Sequence, residues 1–282
     1  MKPHVLVVCF WMVAFQNAFD APPTELAEAY APGSDRTANR PCDESCSCAF
    51  ELTPPMKTWV RRAIPAAARL EPKHRLRRLF EMLLRRDGLA LRQKGGHTPS
   101  APEAFHSRQA NCAAFAFLLV ALARDVGVPA YFVFTRDDVR STRYGKTQLA
   151  ERHLAAAYGP LSNPTVVDFG GFADGRGNEF VFISDETAGS IFCSNRGAEE
   201  LVAGRTDSAL RWLQTAVRID STLDASWLNL GVALRMTGDF DGAERAYLRA
   251  LHLNPEFVAA RNNLAYLNHV RNRFLSEDDA GR

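Results

Sequence analysis

The chain has 282 residues, of which 46% are hydrophobic, and a formal net charge of +2. That length accommodates two modest domains, and the apolar fraction is ordinary for a packed soluble protein, which sets aside a disordered chain. A charge so near balance argues neither for nor against nucleic acid.

Lys2 and His4 precede an apolar stretch from Val5 to Phe15, the length of a signal-peptide core. Residues 1–21 are therefore expected to form a signal peptide or hydrophobic leader. Asn17-Ala18-Phe19-Asp20-Ala21 is a poor cleavage site. Leu6-Val7-Val8-Cys9 lies too near Met1 for a lipoprotein box and has Val where a small residue is wanted. Export to the cell envelope or periplasm is the expectation, with membrane association only through this leader. The alternative is a cytoplasmic protein whose first residues are a hydrophobic helix or follow a misplaced start codon. Residues 22–49 read as a cysteine-bearing linker. Cys42, Cys46 and Cys48 lack a fourth ligand at zinc spacing and no Cys-x-x-Cys pair occurs, so no metal is expected. In an exported protein two of the three are expected to form a disulfide with each other, leaving one unpaired.

A first domain is expected over residues 50–189. Between Arg61 and Lys94 stand eleven Lys or Arg against Glu71, Glu81 and Asp87. Leu76, Leu79, Phe80, Leu83 and Leu84 recur there at helical spacing, so the arginines read as the wet face of an amphipathic helix. No aromatic stacking set accompanies them, which argues against nucleic acid. Thr98-Pro99 reads as an N-cap and first-turn proline opening a short helix through Ala104 and Phe105.

From Cys112 to Ala123 every residue is apolar, the mark of a helix buried on all faces. At about 1.5 Å per residue it reaches only about 18 Å, too short to span a bilayer. Gly127 and Pro129 stop it, and Ala130 to Thr135 reads as a strand. His153 and Asp168 follow, each in a strand-like segment. A thiol at a helix N-terminus meets the positive end of the helix dipole, which favours thiolate. Cys112, His153 and Asp168 in that order thus suggest an activated nucleophile, weighed against an inert core cysteine. His106 is near Cys112 in sequence but is not expected to aim at it. His74, His97, His252 and His269 read as surface residues, and Gly170-Gly171 and Gly175-Arg176-Gly177 as turns.

From about residue 190 the chain repeats. Trp227, Leu230, Gly231, Leu234, Gly238, Ala243, Tyr247, Ala250 and Pro255 carry the large and small residues of a tetratricopeptide helix-turn-helix unit. One repeat earlier Gly197, Gly204, Ala209, Leu213 and Ala216 occupy five of these places, and one repeat later Leu264 and Ala265 occupy two. Two repeats and a capping helix are expected over 190–274, with a disordered tail at 275–282. So short an array should lean on the preceding domain for stability. Trp227 is expected to pack between the helices of its repeat, and Cys193 to be a small core residue.

The segments Thr98 to Phe105, Arg108-Gln109-Ala110-Asn111-Cys112 and Gly127-Val128-Pro129-Ala130, with the apolar helix between them, together resemble the bacterial transglutaminase-like superfamily, a papain-like thiol fold. Ala110 stands where its members often carry Gly. Over about 70–274 the chain is similar to members with a tetratricopeptide tail. The resemblance implies an α+β fold class, a transglutaminase-like, cysteine-protease-type domain followed by an all-α tetratricopeptide array. It implies Cys112 as nucleophile, His153 as the base that takes its proton and Asp168 as the group that orients the ring. The backbone N–H of Cys112 and the side chain of Gln109 would hold the oxyanion. It implies acyl transfer or hydrolysis on a peptide or protein substrate, a protein partner for the repeats and no cofactor. The competing expectation is a catalytically inactive scaffold that serves as an interaction protein.

Overall fold

The computed structural model describes residues 46–65, 70–144, 146–174 and 180–280. The expected leader, residues 22–45 of the linker and Gly175-Arg176-Gly177 lie outside the described residues. Two helices come first, α1 (Pro54–Ala63) and α2 (Pro72–Leu84), each with proline in its first turn, where a missing N–H costs nothing. α2 buries Leu76, Leu79 and Leu83. Its basic residues do more than wet a face. Arg75 donates to the Val126 carbonyl at 2.6 Å and Arg78 to the Ala63 carbonyl at 2.9 Å. Both carbonyls lie at helix ends, where acceptors lack an intrahelical partner.

A short parallel pair, β1 (Arg92–Gln93) and β2 (Gln109–Ala110), flanks α3 (Ala101–Ser107). This helix starts later than expected. Its N-cap is Ser100, because Ser100 and Glu103 form a reciprocal capping box. Thr98 instead accepts a hydrogen bond from Asn111 at 2.8 Å.

The central helix α4 (Cys112–Asp125) is buried from Ala113 to Ala123. Asn111 caps it, its Oδ1 accepting from the Ala114 N–H at 2.9 Å. Gly127, at φ +72°, ends it in a conformation a Cβ would strain. The absence of any polar stripe is explained by its neighbours. Leu79 and Met56 cover it from the helical side, and an antiparallel sheet covers it from the other. The strands are β3 (Ala130–Tyr144), β4 (Thr147–Tyr158), β5 (Thr165–Asp168), β6 (Gly171–Asp174) and β7 (Phe180–Ile183), in the order β6-β5-β4-β3-β7. Phe117 of α4 stands 5.9 Å from Phe132 of β3, centroid to centroid. Each such buried side chain contributes about 1.5–3 kcal/mol.

Five helices follow: α5 (Asp185–Val202), α6 (Thr206–Ile219), α7 (Asp224–Met236), α8 (Phe240–Leu253) and α9 (Val258–Ala280). α5 begins ahead of the expected boundary at 189/190, because Ser184 is its N-cap. α9 continues to Ala280, through residues expected to be a disordered tail. The repeat packs through glycine: a Cβ on Gly197 would lie 2.5 Å from Leu213, and one on Gly231 2.5 Å from the Tyr247 ring. Small residue and large partner therefore recur at the same two places of successive repeats. Tyr247 is fully enclosed, and burial pushes its hydroxyl pKa up to about 12. Trp227, expected between the helices, is half-buried and donates its indole N–H to the Ser221 carbonyl at 2.9 Å.

The array leans on the sheet, as its length requires. β3 takes one edge of β4 along residues 147–152, but β5 takes the other only at 156–158. The remaining edge is met by asparagines. Asn229 of α7 accepts from the Ala150 N–H at 3.0 Å and donates to its carbonyl at 2.9 Å. Asn263 of α9 does the same to Gln148, at 3.0 and 2.8 Å. Unpaired strand groups are thereby satisfied in a buried setting, where leaving them bare is costly. Asn229→Ala is expected to destabilise the full chain by about 1–3 kcal/mol, since it orphans the Ala150 amide group. Thermal unfolding of the variant would show this, and an unchanged midpoint would contradict it.

Cys46 and Cys193 depart from expectation. Cys46 bonds to Cys193, 147 residues away, and both are fully buried. Cys48 is also disulfide-bonded. Cys193 is therefore a cross-link rather than a small core residue. Residues Cys46–Phe50, at the end of the expected linker, form a 3-10 turn packed into the core, with the Phe50 ring 5.2 Å from Phe132.

Candidate active site

The end of α4 that carries Cys112 opens on a cleft of about 250 Å³ between the sheet, the loop 95–98 and α5. Cys112 is partly exposed there and is the free cysteine among the described residues. His153 of β4 lines the same cleft. It sits where the β3–β4 register slips, between Phe134 paired with Leu154 and Val139 paired with Arg152. Such bulges bend a strand and re-aim its side chains. Asp168 ends β5, and its Oδ2 lies 3.8 Å from His153 Nε2. The three residues singled out in the sequence thus fall on α4, β4 and β5.

His153 Nε2 and Asp168 Oδ2 at 3.8 Å form an ion pair when the ring is protonated, and closing by about 1 Å would bring these two atoms to hydrogen-bond distance. His153, chiefly, holds the Asp168 carboxyl below its usual range, partial burial opposes this, and the Gly170 N–H adds to it at 2.6 Å. Since folding lowers this pKa, the group stabilises the fold above its ordinary value of 3.8, and that contribution disappears as pH falls through the depressed value. Asp168→Asn should therefore flatten the acid side of a stability-versus-pH curve. Parallel curves for variant and wild type would contradict this.

Gln109 does not join the site. Its side chain is exposed and is not part of the cleft wall. The parallel β1–β2 pairing sets Gln93 against Ala110, and Gln93 Nε2 points at Cys112 Sγ from 3.7 Å. Gln93 is 19 residues from Cys112, and only a two-residue strand pair brings them together, so no local sequence pattern marks it. His97, expected at the surface, is exposed but has a place in the site. It lines the cleft and its Nδ1 lies 2.8 Å from Glu199 Oε2, while the Thr98 N–H donates to the other oxygen of Glu199 at 2.5 Å. A continuous path then joins α5 to the central helix α4: Glu199 holds Thr98, Thr98 accepts from Asn111, and Asn111 caps the turn that begins with Cys112.

Fold and cleft define a thiol-centred α+β domain with a helical-repeat array docked on its central strand. Residues 66–158 match the family model of the transglutaminase-like superfamily, and residues 225–257 match that of the tetratricopeptide repeat. The chain carries a transglutaminase-like domain followed by tetratricopeptide repeat structure, and such a repeat supports protein–protein interaction in general. No curated protein matches the chain.

Proposed function

We propose that the protein is a thiol enzyme that transfers or hydrolyses the acyl group of a peptide or protein amide through Cys112. The observation that carries this is the shared cleft: a free thiol at the first residue of a buried helix and an imidazole paired with a carboxylate line one cavity. His153 takes the thiol proton. The thiolate attacks the carbonyl carbon, the C–N bond breaks and His153 returns the proton to the leaving amine. Water or a second amine then releases the acyl group from sulfur. Gln93 Nε2 joins the Cys112 backbone N–H as an oxyanion donor, in place of the expected Gln109. The buried Cys46–Cys193 bond supports an oxidising setting such as the cell envelope.

The test is iodoacetamide labelling of the native full chain with mapping of the modified residue. Cys112 should react about tenfold faster at neutral pH than glutathione, since an ordinary thiol is only a few per cent thiolate there. Reaction at the glutathione rate would overturn the thiol enzyme and leave the inactive-scaffold reading.

A further inference from the structure

The asparagines that hold β4 lie 34 residues apart, at one position of successive repeats. One repeat earlier the same position is Asn195, on α5. It is only 5% exposed, yet no hydrogen bond joins its side chain to any described residue. Its two counterparts each exchange two hydrogen bonds with one strand residue, whereas the polar atoms of Asn195 are not sealed from solvent. Asn195 lines the cleft that also holds Cys112 and His153.

A primary amide offers one acceptor and donors beside it, which matches the N–H and C=O of a peptide group. Asn229 and Asn263 use that match on their own strand. We infer that Asn195 uses it on the substrate: it binds one backbone peptide group of an extended polypeptide lying in the cleft, accepting from its N–H and donating to its carbonyl. The inference rests on the cleft being the substrate channel of Cys112. It names the substrate class as extended polypeptide chain, and it makes the first repeat helix part of the recognition surface. Specificity toward side chains would come from the neighbouring walls, because the contact at Asn195 reads only the main chain.

The test uses three alkylating probes on the full chain, each followed to modification of Cys112. They are iodoacetamide, acetyl-Ala-Ala-Ala chloromethyl ketone, and the same ketone with its amides N-methylated. In each the sulfur displaces a halide ion. Wild-type protein should prefer the unmethylated ketone to the methylated one, and Asn195→Ala should lower the ratio of peptide-ketone rate to iodoacetamide rate about tenfold, the effect of losing two hydrogen bonds. Asn195→Asp, which keeps the acceptor but loses the donor, should lower it less. A wild-type protein indifferent to N-methylation, or ratios equal in wild type and both variants, would overturn the role of Asn195 while Cys112 remained reactive to iodoacetamide. A Cys112 that iodoacetamide modifies no faster than glutathione would instead overturn the thiol-enzyme reading beneath it. The comparison between methylated and unmethylated probes is made on wild type, so it stands even if a variant fails to fold.

Discussion

His153→Ala is expected to slow acylation of Cys112 by about 10³-fold or more, because it removes the group proposed as both base and proton donor. The variant should keep its fold. His153 occupies a point where the strand register already slips, so alanine there breaks no regular ladder pair. Burst kinetics with an activated acyl ester would measure the acylation rate directly. Asp168→Asn should also slow acylation, by about 10²–10⁴-fold, since it leaves the imidazole in place but removes its orienting charge. A His153→Ala protein that acylates at the wild-type rate would show that the thiol works without this imidazole. His97 also lines the cleft and would be the next base to test, although its Nδ1 is committed to Glu199.

The paired replacement Cys46→Ala with Cys193→Ala is expected to cost about 2–5 kcal/mol. The cross-link closes a loop of 147 residues, near the upper end of what chain-entropy arguments allow. It ties a turn buried against the sheet to the second half of the chain, so its loss frees both ends. A Cβ on Gly189 would lie 2.9 Å from the Cys46 carbonyl, which shows how closely the turn rests on α5. Denaturant unfolding of wild-type protein with and without reductant, beside the double variant, gives the measurement. Equal midpoints for all three would mean that packing alone holds the turn.

The elements that were legible in the sequence share a local signature. Twelve apolar residues between Asn111 and Arg124 mark a helix enclosed on all sides, whatever encloses it. Gly231 and Tyr247 mark a repeat because close helix approach needs the same small and large pair each time. What could not be read depended on distant partners. Nothing near Cys193 in sequence announces Cys46. Thr98 followed by proline mimics a helix start, but the reciprocal Ser100–Glu103 pair is the stronger cap. Gln109 stands three residues before Cys112 and invites a role beside its thiol, while Gln93 is the one that reaches the sulfur, through a strand pairing of two residues. The arginines of α2 look like solvent-facing charge by periodicity. Their helix-end contacts at Ala63 and Val126 become visible only when other helices arrive.

The asparagine contacts also set a gauge between two periodicities that have no common origin. The 34-residue step from Asn229 to Asn263 moves the contact back by two strand residues, from Ala150 to Gln148. Two strand residues span about 6.7 Å, so helix stacking and strand rise are in step along this face. The match fixes the register of the two parts. A one-residue slip of β4 would present the groups turned toward β3, and every contact would fail at once. Inserting or deleting a whole repeat should therefore be tolerated only at the far end of the array, beyond Asn263, where no strand residue has been measured off against it.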